Sequence, residues 1–177
     1  MRLLRNQIAL SFPDAVVLLS ISNEGQTESD ILEMGERLAN EFKNYILSYC
    51  PEQCISKISL IGHSLGGLII RAALPHLAEY SEKFHLFCTM GTPHLGYLQS
   101  QNKMLDAGLW FMKNWKKSPC LTQLSMSDQP KTDDCCLFRL TLLPGLSWFK
   151  HVILCSSYQD KYVPFESARV QIQQTPA

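Results

Sequence analysis

One serine in this chain stands where its hydroxyl could attack a carbonyl. Ser64 lies in Gly62-His63-Ser64-Leu65-Gly66-Gly67, directly after the apolar run Lys57–Ile61 and directly before another apolar stretch. This is G-x-S-x-G between a strand and a helix. A nucleophile elbow forces the serine backbone into a strained conformation, so its flanks must be small. On this reading Gly62 and Gly66 clear room for strand and helix to approach. The turn exposes the Ser64 hydroxyl at a helix N-terminus, where the Leu65 N–H and the helix dipole can stabilise an oxyanion. The plainer reading is a glycine-rich turn that happens to hold a serine. His63 adjoins Ser64, and adjacent residues at an elbow point apart, so it reads as packing or polar support rather than as a base.

Two later segments could complete such chemistry. Gly91-Thr92-Pro93-His94-Leu95-Gly96 follows a second apolar run. Gly and Pro set a tight loop there, and His94 could be a base by residue type alone. Ser156-Ser157-Tyr158-Gln159-Asp160-Lys161-Tyr162-Val163-Pro164 follows a third run. A carboxylate just past a late strand is where a hydrolase places the acid that orients a histidine and stabilises its imidazolium. The alternative for Asp160 is an ordinary solvated loop residue.

These segments need a scaffold, and the hydropathy pattern supplies one. Strands are expected at about residues 15–21, 57–62, 84–90 and 151–156, all apolar and rich in β-branched residues. Arg2 to Ser11 reads as a surface helix. From Asp30 to Tyr49, apolar residues recur at spacings of three and four, which predicts one amphipathic helix capped by Thr27 or Ser29 and stopped by Pro51. Leu65 to Leu74 is an apolar helix ended by Pro75. Leu98 to Trp115 and Asp133 to Leu142 read as further helices. The alternation predicts an α/β fold, one domain over residues 1–177, with a mostly parallel sheet and helices on both faces. In such sheets ligands bind at the carboxyl ends of the strands.

Composition narrows the field. The chain has 177 residues, 46% of them hydrophobic, and a formal net charge of zero. A nucleic-acid footprint is not expected from that balance. The apolar runs are too short for a transmembrane segment. The seven cysteines show no second pair at metal-ligand spacing, so no metal and no cofactor are expected, and a reduced, cytoplasmic protein is the simplest reading.

The wording of the motifs is similar to that of lipase-like serine esterases of the α/β-hydrolase superfamily. It resembles most closely the C-terminal hydrolase-like domain of the "family with sequence similarity 135" proteins. The residues that carry this are Ile61 to Gly66, Pro93 to Gly96, Gly108-Leu109-Trp110, Gln159 to Phe165 and Ser167-Ala168-Arg169. The resemblance implies the fold, Ser64 as nucleophile, Asp160 as triad acid, and Thr92 and His94 shaping a pocket beside His63. The substrate it implies is a carboxylic ester of a lipid or other acylated molecule, with a place in lipid metabolism.

Two parts of the pattern are absent. The superfamily's triad runs serine, acid, histidine, yet no histidine follows Asp160; the five are His63, His76, His85, His94 and His151. The early loop that normally supplies a second oxyanion donor is not present either, so both ends read as cut. Losing a triad member costs a factor of about 10⁴, so weak activity is expected. The alternatives are a non-catalytic binding or scaffolding module, and another use of the same site such as acyl transfer or thioester hydrolysis. Leu105 to Trp115 reads as a core helix, or as the lining of an acyl pocket.

Overall fold

The computed structural model describes residues 1–50, 55–97 and 118–171. The described elements are α1 (Arg2–Ser11), α2 (Ile31–Tyr49), β1 (Ile58–His63), α3 (Gly66–Ala73), β2 (Phe84–Met90), α4 (Pro119–Leu124), α5 (Cys136–Leu142), β3 (His151–Cys155) and α6 (Phe165–Arg169). Three of the four expected strands form one sheet in the order β1-β2-β3. Both pairings are parallel, with Gly62 beside Thr89 and Met90 beside Cys155. The carboxyl ends of all three strands therefore share one rim. The chain is an α/β fold with a parallel sheet flanked by helices.

The helices form where their apolar stripes can be covered. α2 starts at Asp30, whose side chain accepts the Leu32 N–H at 2.7 Å and the Glu33 N–H at 3.3 Å. Asp30 is thus the cap, rather than Thr27 or Ser29, because its carboxylate reaches the first free amides of the helix. α2 buries Ile31, Met34 and Ala39, and α3 is buried from Gly67 to Ala73. Together they cover the sheet face that carries Phe87, whose side chain is fully buried. Each large apolar side chain buried there contributes about 1.5–3 kcal/mol. After α3 the chain tightens into a 3-10 segment, Leu74–Lys83, with Pro75 in its first turn and a kink at Leu77.

The expected strand at 15–21 is not in the sheet. That stretch has no regular secondary structure. It is tied to α2 instead: Glu41 accepts the Ser20 hydroxyl and the Ile21 N–H, the latter at 2.9 Å, and Tyr45 donates to the Val17 carbonyl at 3.5 Å. Its described backbone bonds go to α2 side chains and to local turns, Ala15 N–H to the Phe12 carbonyl and Glu24 N–H to the Ile21 carbonyl, without a registered neighbour, and apolar composition alone does not supply one. The helix expected over Asp133 to Leu142 is broken. A 3-10 turn, Thr132–Asp134, precedes α5, and Cys135 between them is extended. The helix expected over Leu98 to Trp115 lies outside the described residues.

Candidate functional site

The turn between β1 and α3 is two residues long, and Ser64 carries its strain. Ser64 has φ +52°, in the left-handed region. For a residue with a side chain this costs about 1–3 kcal/mol unless its surroundings over-determine it. Here they do. The Ser64 N–H donates to the Met90 carbonyl at 2.9 Å. The Ser64 carbonyl accepts the Thr92 hydroxyl at 2.7 Å and the Gly67 N–H at 3.2 Å.

The glycines around the turn divide differently from the sequence expectation. A Cβ on Gly62 would stand 2.6 Å from the Gly67 nitrogen. One on Gly67 would stand 2.7 Å from Thr92 Cγ2 and 2.8 Å from Thr89 Cγ2. A Cβ on Gly66 would meet nothing within 4 Å. Gly62 and Gly67 are the positions where no side chain fits, and Gly66 is not. The reason is orientation: Gly67 faces β2 across the helix–sheet contact, whereas Gly66 opens the helix on its outer side.

Leu65 follows at the N-cap of α3 with helical dihedrals. Among the described residues, no acceptor takes its N–H. A free amide at the start of a helix is suited to a developing negative oxygen. His63, the last residue of β1, is exposed.

The loop after β2 holds the centre of the rim. Gly91 has φ +55° and donates its N–H to the Cys155 carbonyl at 2.9 Å, which ties the loop to the end of β3. Thr92 is fully buried and His94 is 3% exposed. His94 Nε2 lies 2.9 Å from Thr89 Oγ1, and Nδ1 lies 3.4 Å from an Arg71 guanidinium nitrogen. An arginine can only donate. Nδ1 is therefore the acceptor, and Nε2 carries the proton that it shares with Thr89. Burial, aided by the nearby Arg71 charge, pushes the His94 pKa down to about 4. Both ring nitrogens are occupied inside the protein, so His94 has no lone pair free for a serine proton. Thr92 and His94 thus stand beneath the rim, in packed interior.

Asp160 reaches the same place from the other side. One carboxylate oxygen accepts the Tyr162 N–H at 2.8 Å and the Val163 N–H at 3.0 Å. The other lies against Gly91, where a Cβ would stand 2.9 Å from it. Ser64 and Asp160 therefore abut consecutive residues, Met90 and Gly91, from opposite flanks of β2. No described hydrogen bond joins the two side chains.

The remaining histidines are elsewhere. His85 is the second residue of β2 and His151 the first of β3, at the opposite end of the parallel strands. Their rings contact each other at 5.0 Å. His76 is exposed in the 3-10 segment beyond α3.

Sequence reasoning assigned no role to two residues that matter to this geometry. Arg71 is 7% exposed, with its Nε unpartnered among the described residues. Its signal was visible, as the one charge within the apolar stretch Leu65–Leu74. Ser167 donates its hydroxyl to the Gly96 carbonyl at 2.8 Å and accepts the Leu95 N–H at 3.1 Å. It pins the loop to α6, and nothing in its spacing foretold that. Beside the Asp160 loop runs an open cleft of about 660 Å³, lined by Leu154, Tyr158, Phe165 and Arg169 among others. The Tyr158 and Phe165 rings are stacked at 3.7 Å, with the Arg169 guanidinium 5.2 Å from the Phe165 ring centre. Among the described residues no group of three His, Cys, Asp or Glu side chains could hold a metal. No described helix is long and apolar enough to cross a membrane.

Comparison with known proteins agrees with this geometry. No solved structure gives a significant match. A relative from Saccharomyces cerevisiae (strain ATCC 204508 / S288c), named "Putative lipase ROG1", is 38% identical over 80 residues. That match covers 42% of this chain and 11% of the relative's length. The model of the family described as "Putative serine esterase (DUF676)" matches residues 1–172. A serine turn at a parallel-sheet rim, a carboxylate on the same rim and a family match over nearly the whole chain converge: this chain belongs to the family described as "Putative serine esterase".

Proposed function

We propose that the chain is a serine-hydrolase module for carboxylic esters, with Ser64 as nucleophile, Asp160 as triad acid and the Leu65 N–H as an oxyanion donor. The observation that carries this is the left-handed Ser64 in a turn between strand and helix, at the same rim as Asp160. In the reaction the Ser64 hydroxyl adds to the ester carbonyl, its proton passes to a base, and the oxyanion forms against the Leu65 N–H. The alcohol then leaves, and water releases the acid by the same steps. A lipid or other acylated substrate is the favoured class, in keeping with the lipase name of the yeast relative. His63 would sit at the rim, and Thr92 and His94 would support the pocket from beneath.

The base is the weak point. Asp160 requires an imidazole between itself and Ser64, and the positions of all five histidines argue against each of them. Without a base a serine hydroxyl stays protonated and weakly nucleophilic near neutral pH. The chain by itself should therefore hydrolyse p-nitrophenyl esters barely above background. A second reading, a non-catalytic binding module, is favoured by that same occupied and displaced set of histidines. Ester turnover with and without Ser64→Ala decides between them. Robust turnover lost in the variant establishes a complete hydrolase, and no Ser64-dependent turnover under any condition leaves the binding module.

A further inference from the structure

We propose that Thr92 is a positioning residue for Ser64: its buried hydroxyl, donated to the Ser64 carbonyl at 2.7 Å, holds the left-handed turn that aims the serine. This rests on Ser64 being the reactive residue. The geometric part, that Thr92 sets the turn, can be tested without it.

Three observations lead there. The Ser64 carbonyl has one other described donor, the Gly67 N–H at 3.2 Å, so the shorter bond is the one from Thr92. Thr92 is fully buried and its Cγ2 lies where a Gly67 Cβ would collide. The bare Gly67 is therefore what leaves room for the Thr92 side chain to reach the carbonyl. Thr92 is itself held, because its loop is anchored at both ends. Gly91 is bonded to Cys155, His94 is set between Thr89 and Arg71, and Ser167 grips Leu95 and Gly96. A rigid loop can impose a strained conformation on its neighbour, whereas a loose one would follow it. The same loop touches Asp160 through Gly91, so one element sets the spacing of both side chains.

The test uses the whole chain as wild type, Thr92→Val and Thr92→Ser. The first readout is amide hydrogen exchange, resolved by residue. Valine keeps the shape and removes the donor. Exchange at Ser64 and Gly67 should quicken at least about tenfold, while Leu60 and Phe87 in the strands stay within about threefold, because local opening reports local restraint. Serine keeps the donor and should restore the wild-type pattern. The second readout is phosphonylation of Ser64 by a fluorophosphonate with imidazole added as the base, which should slow at least about tenfold in Thr92→Val and recover in Thr92→Ser. If the wild type is not labelled at Ser64, the nucleophile reading fails, and exchange alone decides the role of Thr92. Unchanged exchange at Ser64, or an increase spread evenly over the strands, overturns the proposal. If valine leaves the chain unfolded, Thr92→Ala takes its place. Unfolding of both variants beside a folded Thr92→Ser would also overturn it, by making Thr92 a general core residue.

Discussion

Two stretches of this chain read equally well as sequence and came out differently in structure. The run Ala15–Leu19 is as apolar as any strand here, and the turn around Ser64 is as well marked as any motif. The first stayed outside the sheet, tied to α2 by Tyr45 at Val17 and, just past its end, by Glu41 at Ser20 and Ile21. The second closed with three described hydrogen bonds on one strained residue. The difference lies in what each pattern requires of its surroundings. An apolar run names no particular neighbour, and this one is left half-exposed on the outside of the fold. A turn whose glycines leave no room for a Cβ demands one particular neighbour at one distance, and a fold either provides it or does not form.

The contrast can be broken most severely at the turn. Gly62→Ala would drive a Cβ to 2.6 Å from the Gly67 nitrogen. Backbone cannot give way as a flexible side chain can, so a loss of about 3 kcal/mol or more is expected in urea unfolding, at the upper end of overpacking costs. Gly66→Ala meets open space on the first turn of a helix, and should be neutral or stabilising by up to about 1 kcal/mol. Equal losses at the two positions would refute the division of roles.

The next effect is that of pH, through His94. Its pKa in the fold is lowered to about 4, below the ordinary value of about 6.5. A histidine held neutral by the fold contributes stability that is complete above pH 6.5. That stability is lost as the pH falls from 6.5 toward 4, because the unfolded chain takes up the proton first. The size is on the order of 3 kcal/mol. Unfolding at pH 7.5 and pH 4.5 should show the decline, and His94→Gln should flatten it. A slope that survives the substitution would assign the acid sensitivity elsewhere.

Smallest of all should be changes in the N-terminal stretch. Val16 is 60% exposed, so Val16→Thr should shift stability by no more than about 0.5 kcal/mol. Phe87→Ala at the fully buried centre of β2 should cost about 3–5 kcal/mol. A large loss at Val16 would mean that the apolar run is covered after all.

Much of this architecture was legible. β1, β2 and β3 fell within a residue or so of the expected bounds, since each is a short apolar run closed by a turn signal, and α2 followed its periodicity. The rim shared by Ser64 and Asp160 followed from βα alternation, because parallel strands put all their carboxyl ends on one side. What could not be read were the contacts made across the fold. That Gly67 rather than Gly66 faces β2 depends on how α3 is rotated. That Thr92 and His94 are interior depends on Arg71 and Thr89 converging on one ring. The break at Cys135 has no marker in composition, because Cys135 and Cys136 have the same chemistry and only one of them is helical.

The most direct measurement is ester turnover with imidazole added in solution. If Ser64 and Asp160 stand ready and only the base is wanting, free imidazole should restore part of the reaction. The rate of p-nitrophenyl ester hydrolysis by wild type, less that of Ser64→Ala, should rise from near zero and saturate with imidazole concentration. It should fall again in Asp160→Asn. A difference that stays at zero at every imidazole concentration would contradict the assignment of Ser64, and a large difference with no imidazole present would show that a base already stands beside it.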